Sequence, residues 1–363
     1  MSLVFVNADA GEGFLKVDGN PGDRKNLTLW QNGENVIKTV TENCNNTVVI
    51  MHTAGPVLID EWYNNPNVTA IVWAGLPGQE SGNAIANVLY GHVNPGGKSP
   101  FTWGKTKEDY GPEILREANN GHGAPQVDFT EGVFIDYRYF DKRNETPIYE
   151  FGYGLSYTTF DYSNLHIKPL NASKYTPTTG ETDPAPTFGE PGKASDYTYP
   201  EGLERSSKFI YPWLNSTDLK QSSGDPSYGL EHSEHLPEGS RDGSAQPRLP
   251  ASGGPGGNSG LYDELFCVSA TITNTGKVAG DEVPQLYVSL GGPNEPVVVL
   301  RDFDRIHLAP GQKVVWSTTL TRRDLANWDV AAQDWAITKY PKKVHVGSSS
   351  RKLPLKAMLP QVQ

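Results

Sequence analysis

One carboxylate stands out for its setting. Glu12 lies between Gly11 and Gly13, is followed by the aromatic Phe14, and comes just after the apolar run Leu3, Val4, Phe5 and Val6. That pattern predicts a buried strand ending in a tight loop that carries one acid. In parallel α/β proteins, such loops at the carboxyl ends of strands are where ligands bind. The flanking glycines let backbone approach a ligand closely and make unusual φ values cheap. A glutamate held there can move a proton to or from a leaving group, if burial or a neighbouring carboxylate raises its pKa. By residue type alone two readings stand, a solvated loop acid or an active-site acid.

Other reactive side chains are less suggestive. Cys44 and Cys267 are far apart, form no disulfide framework and have no metal-ligand spacing. His232 and His235 are close together but fall in a polar, aperiodic stretch, so neither a metal nor another cofactor is expected. Glu80 sits at a strand-to-helix turn, where a negative charge favours the helix dipole. Ser81 beside it occupies the wrong position for a nucleophile elbow. Asp136, Arg138 and Asp141 mark a charged, aromatic-rich segment suited to an ion pair or a domain contact. Trp316, Trp328 and Trp335 read as core aromatics of a sandwich rather than sugar-stacking platforms.

The elements that must position these groups fall into two kinds. Apolar runs at residues 3–6, 48–51 and 70–73 alternate with helical patterns at 33–43 and 79–90, with a short helical piece at 60–63. In the second helix Ala84, Ile85, Val88 and Leu89 recur at three- and four-residue spacing. Continuous β-branched strands between amphipathic helices predict a parallel sheet covered on both faces, of which three strands are only a part. After residue 260 the period becomes two. Phe266, Val268, Ala270 and Ile272 alternate with polar or small residues and end at Asn274, Thr275, Gly276 and Lys277, a hairpin signal. Further strands are expected at 284–288, 302–308, 314–320 and 344–346, giving a β-sandwich.

Between the two lies a stretch rich in Ser, Gly, Pro, Thr and Glu. The 363 residues include 38 Gly and 28 Pro, about 18% together against roughly 12% in average usage. The expected organisation is therefore an α/β region over 1–150, the first strand of the sandwich over 151–170, a low-complexity insertion over 171–260, and the remaining sandwich over 261–363. A formal charge of −11 argues against a nucleic-acid partner. No apolar run is long enough for a membrane-spanning helix. Six sequons, at Asn26, Asn45, Asn67, Asn144, Asn171 and Asn215, point to a secreted protein. The first residues lack the pattern of a signal peptide, so the expectation is that a leader and further chain lie upstream.

Three ordered motifs carry a family resemblance. The first runs from Trp73 through Gly75, Pro77, Gly78 and Glu80 to Asn83 and on through Val88, Gly91, Asn94, Gly96 and Lys98 to Trp103. The second spans Glu131, Gly132, Asp136, Tyr137, Arg138 and Asp141. The third is Phe151, Gly152, Tyr153, Gly154, Leu155, Ser156 and Tyr157, ending at Phe160. Together they resemble the C-terminal half of a fungal extracellular β-glucosidase of glycoside hydrolase family 3. The resemblance implies an incomplete α/β sandwich followed by a fibronectin type III-like domain, with a (β/α)₈-like barrel outside this chain. It implies retaining hydrolysis of β-glucosides such as cellobiose, within cellulose degradation. Two carboxyl groups about 5–5.5 Å apart do that chemistry. Glu12 matches the acid/base residue. The aspartate nucleophile belongs to the barrel, and no aspartate here has the expected Ser-Asp-Trp context; Ser195, Asp196 and Tyr197 are only superficially similar. Phe14 falls where many fungal relatives place a tyrosine against the aglycone, keeping the apolar wall but not the hydroxyl. The substrate, a β-glucoside or cello-oligosaccharide, would need that barrel. The alternative is a non-catalytic, carbohydrate-associated or structural fragment.

Overall fold

A computed structural model describes residues 1–10, 16–17, 20–21, 24–111, 115, 126–176, 258–329 and 334–361. Strand β1 (Ser2–Ala8) is followed by a minimal hairpin, β2 (Lys16–Val17) with β3 (Asn20–Pro21), then helix α1 (Gly33–Asn43), β4 (Thr47–Thr53) and β5 (Val68–Trp73). The three long strands form a parallel sheet in the order β1-β4-β5. Consecutive Val48, Val49, Ile50 and Met51 make β4 its centre, and all four are buried. Helix α1 seats Ile37 in the same core, beside Val4, Val6, Leu29 and Trp30. The piece at 60–63 is a single turn in which the Trp62 and Tyr63 amides donate to the Ile59 carbonyl.

The expectation of a sheet covered on both faces holds for β4 and not for β1. Val4, Val6 and Ala8 are buried, while Leu3 and Phe5, on the opposite face, are 43% and 55% exposed. Helix α2 (Ser81–Leu89) forms after a short 3-10 turn, and none of its residues is buried. Its apolar stripe has no core beneath it among the described residues.

Helix α3 (Tyr137–Arg143) then leads to a β-rich region. Its strands are β6 (Phe160–Pro169), β7 (Glu264–Asn274), β8 (Gly280–Glu282), β9 (Gln285–Ser289), β10 (Val299–Phe303), β11 (Ile306–Leu308), β12 (Lys313–Thr321), β13 (Asn327–Asp329), β14 (Asp334–Ala336), β15 (Lys343–Gly347) and β16 (Leu355–Met358). One antiparallel sheet runs β12-β7-β6 and another β10-β9-β15-β16. Their facing side chains interdigitate as one core, with Val268, Ala270, Ile272, Trp316 and Leu320 against Leu286, Val288, Val344 and Val346. The period-two pattern of β7 thus does what alternation requires, one face in and one out.

Two strand expectations need correction. The turn after Asn274 does not make a hairpin, because β7 pairs with β12 and β6 while β8 pairs with β11. Asn274 is fully buried, and its side-chain amide donates to the Val278 and Leu308 carbonyls at 2.8 and 2.9 Å. Those bonds steer the chain out of the first sheet. The stretch 302–308 is two strands in different sheets, broken where Asp304 and Arg305 turn.

A dense seam joins the α/β region to the sandwich. The amide of Asn94 donates to the Ala279 carbonyl (3.0 Å), and its oxygen accepts from the Ser156 hydroxyl and the Tyr157 amide, both at 2.8 Å. Gln285 donates to the Gly152 carbonyl, and the Tyr137 hydroxyl accepts from the Leu300 amide at 3.0 Å. Tyr137 also meets Phe151 and Tyr287, at 4.8 and 6.0 Å between ring centroids. Gly152 has φ of +79°, and any β-carbon there would collide with the Gln285 amide. Asp141 pairs with Arg351 at 3.0 Å, so the charged segment at 136–141 is a contact of this seam.

Candidate functional site

In parallel α/β sheets the carboxyl edge is where ligands bind, and here several side chains are locked at that edge. Strand β1 ends at Ala8, whose carbonyl accepts from the Ala54 amide at 2.9 Å, just past the end of β4. One residue earlier, the Asn7 carbonyl accepts from the Trp30 amide, also at 2.9 Å. These bonds fix the direction in which the chain leaves the sheet toward Asp9 and Ala10. Residues 11–15 follow, so Glu12 and Phe14 lie outside the described residues. The chain is placed again at the β2–β3 hairpin.

At the ends of β4 and β5, the Trp73 indole donates to the Thr53 hydroxyl (2.8 Å), which in turn donates to the Gly55 carbonyl (2.7 Å). Phe101 meets Trp73 edge-on at 5.1 Å, and Trp103 continues the row at 5.0 Å. The Trp103 indole is held by the Ser99 hydroxyl at 3.0 Å. Arg24 donates to the Pro56 carbonyl at 2.9 Å, and burial lowers its pKa, with Tyr110 opposing. Burial pushes the Tyr110 hydroxyl up to about 12 and keeps it neutral; it accepts from the Gly104 amide. The result is an aromatic row with locked rotamers that packs against the α/β core, Trp103 buried and Trp73 and Phe101 half-buried.

Glu80 is the residue before α2, as the strand-to-helix turn predicts, but its carboxylate caps no backbone group. It is exposed and accepts from the Asn83 amide at 2.6 Å. Among the described residues, no cluster of His, Cys, Asp and Glu could hold a metal ion. No described helix is long and apolar enough to cross a membrane. Trp316 lies in the sandwich core, whereas Trp328 is 45% exposed and meets Trp335 edge-on. Sequence reasoning missed the Trp73–Thr53 link and the Phe101–Trp103 row. Their signal was present, since all three aromatics bracket the first motif.

Of the sequons, Asn26, Asn45, Asn144 and Asn171 are exposed. Asn67 is half-buried, and its amide nitrogen donates to the Thr41 carbonyl at 2.8 Å. Asn215, His232, His235 and nearly all of the insertion lie outside the described residues.

A three-stranded parallel sheet followed by packed antiparallel sheets has a counterpart in known families. Residues 1–157 match the glycosyl hydrolase family 3 C-terminal domain, and residues 282–350 match a fibronectin type III-like domain. The chain is 73% identical over 363 residues to a protein of Aspergillus oryzae named probable beta-glucosidase A, covering all of this chain and 42% of the relative. Beta-glucosidase 1 of Aspergillus aculeatus matches with the same identity and coverage. A solved glycoside hydrolase family 3 beta-glucosidase from Neurospora crassa is similar at 60% identity and a TM-score of 0.76, over 99% of this chain and 43% of that one. The chain thus spans less than half the length of these relatives.

Proposed function

We propose that this chain supplies the general acid/base of a retaining β-glucosidase, and that Glu12 is that residue. The observation that carries the reading is 73% identity along the whole chain to relatives named beta-glucosidase. The course of β1 supports it, because the strand leads the chain toward the carboxyl edge of the sheet, the edge at which parallel α/β proteins bind ligands. In this reaction Glu12 protonates the glycosidic oxygen as the bond to the aglycone breaks, and a carboxylate nucleophile takes the sugar. Glu12 then deprotonates the water that releases it. The nucleophile comes from the part of the longer enzyme that this chain does not span. Phe14 forms an apolar wall for the aglycone, and the substrate is a β-glucoside or cello-oligosaccharide met during cellulose breakdown outside the cell. The exposed Asn26, Asn45, Asn144 and Asn171 support a secreted, glycosylated protein, with Asn67 and Asn215 as further acceptors. At Asn67 a glycan must first break the bond to Thr41.

The test is a chimera in which this chain replaces the matching portion of the Aspergillus oryzae relative, assayed on 4-nitrophenyl β-glucoside. The chimera should turn over, and Glu12→Gln should lower the rate by about 10²–10⁴-fold. Azide should restore product formation, as a nucleophile that needs no general base. The 363 residues alone should give no turnover above background. Glu12-dependent hydrolysis by them alone, or a fully active Glu12→Gln chimera, would overturn the assignment.

A further inference from the structure

The sandwich carries a cleft of about 710 Å³, a size typical of small-ligand sites, whose lining includes Tyr175, Trp335, Tyr340, Met358 and Gln361. Tyr340 is 40% exposed, yet its ring is not loose. Gly291 and Gly292 lie against it at φ of +73° and +103°, and a β-carbon on Gly292 would sit 2.7 Å from the ring. The turn that presents the ring is tied down by Lys342, itself 6% exposed. Its ammonium donates to the Thr338 carbonyl and hydroxyl, the Tyr340 carbonyl and the Leu290 carbonyl, at 3.0–3.3 Å. Trp335 is held as well, with the Arg323 guanidinium 3.3 Å from its ring centroid and the Trp328 ring 5.5 Å away. Two aromatic rings are therefore ordered before any ligand arrives, which lowers the entropic cost of binding.

The charges narrow the ligand class. Among the described residues no carboxylate lines the cleft, in a chain with a net charge of −11. The ammonium of Lys342 is taken up by its four oxygens, and Arg322 by the Gly260 and Ser173 carbonyls, the Asp263 carboxylate at 3.7 Å and the Tyr175 ring beneath it. A cation would meet no carboxylate among the described lining residues, since Asp263 and Asp334 behind them face Arg322 and Tyr175, and an anion would find one exposed charge, Lys339, at the margin. What remains is ring faces, with the polar ends of Lys339 and Gln361 at the margin, which suits a neutral polyol. A β-glucosyl ring, with its hydroxyls equatorial, offers a flat C–H face to an aromatic and hydroxyls to the margin.

We infer that this cleft is a saccharide site that takes a β-linked glucan chain, with Tyr340 as the stacking platform and Trp335 and Met358 as its walls. The β-linked class rests on the β-glucosidase reading above. Cellohexaose titrated into the full 363-residue chain should produce a saturable change in tryptophan fluorescence. Tyr340→Ala should weaken binding at least tenfold, and Tyr340→Phe should hold it within twofold. Should Tyr340→Ala fail to fold, Met358→Lys, at a 52% exposed position, obstructs the cleft from its rim and should have the same effect. No saturable change with the unaltered chain, or unchanged affinity in a folded Tyr340→Ala or Met358→Lys, overturns the site. Equal affinity for maltohexaose overturns the β-linked preference. The titration involves no turnover, so it fails independently of the hydrolysis assay.

Discussion

The ammonium of Lys98 lies 3.0 Å from the Glu282 carboxylate, with the two side chains only 12% and 5% exposed. Lys98 comes from the glycine-rich stretch after α2, and Glu282 from β8. Their contact crosses the seam where water is largely excluded. A buried pair is costly to break from one side, because the survivor is left charged without a partner. Lys98→Met should destabilise the chain by about 3–5 kcal/mol, and the double change Lys98→Met with Glu282→Leu by clearly less. Urea unfolding of the four proteins reads the coupling, and additive effects would show that the two residues act separately.

His345 predicts a pH dependence. The Ser289 hydroxyl donates to the Val297 carbonyl at 2.6 Å, so at 2.9 Å from the ring it accepts from the His345 Nε2–H. Burial, helped by Lys356 and Lys343, lowers this imidazole to about 4. The unfolded chain takes up that proton near pH 6.5, before the folded one does. The stabilisation is therefore complete above about pH 6.5 and is lost as pH falls toward 4, by roughly 1–3 kcal/mol. Thermal melts of the wild-type chain and His345→Gln from pH 7.5 to 4 should converge on acidification. Parallel curves would contradict the assignment.

Asp136 holds a strained backbone, φ 52° and ψ −134°, at the start of α3. Its carboxylate accepts from the Tyr137 amide at 2.6 Å and from the Thr102 amide and hydroxyl at 3.0 and 2.6 Å. Asp136→Ala keeps the strain and strands a buried hydroxyl, so a loss of about 2–3 kcal/mol is expected in chemical unfolding. Asp136→Asn retains acceptors through its carbonyl oxygen and should cost about half as much.

The exposed face of β1 predicts solution behaviour. Leu3 and Phe5 contribute nothing to the core that Val4, Val6 and Ala8 build, yet they offer an apolar strip to other molecules. Leu3→Glu with Phe5→Lys should reduce self-association in light scattering and shift the melting temperature by only a few degrees. A large stability loss would place both side chains inside.

The contrast between β4 and β1 indicates how much of the fold was legible. Four successive apolar residues read as a strand, and the helix at 33–43 carries its own period, so local pattern sufficed for both. The uncovered face of β1 was not legible, because Leu3 and Phe5 look like core residues in a list of amino acids. The route taken after Asn274 was also hidden, since it depends on that side chain reaching Leu308. The break at Asp304 was passed over within an otherwise strand-like run. For the candidate site, Glu12 was visible through its glycines and the preceding apolar run. The aromatic row at the sheet's carboxyl edge requires Thr53, Trp73 and Phe101 to meet across two strand ends, which a reading of local pattern does not supply.

The seam at Asn94, Lys98 and Gly152 bears on how such chains can be recombined. A sandwich moved from one relative to another at residue 150 would arrive without Asn94, which grips Ala279, and without Lys98, which neutralises Glu282. The transferable module is therefore discontinuous: residues 94–98 and 150–158 have to travel with the strands they hold, or the graft begins with broken contacts.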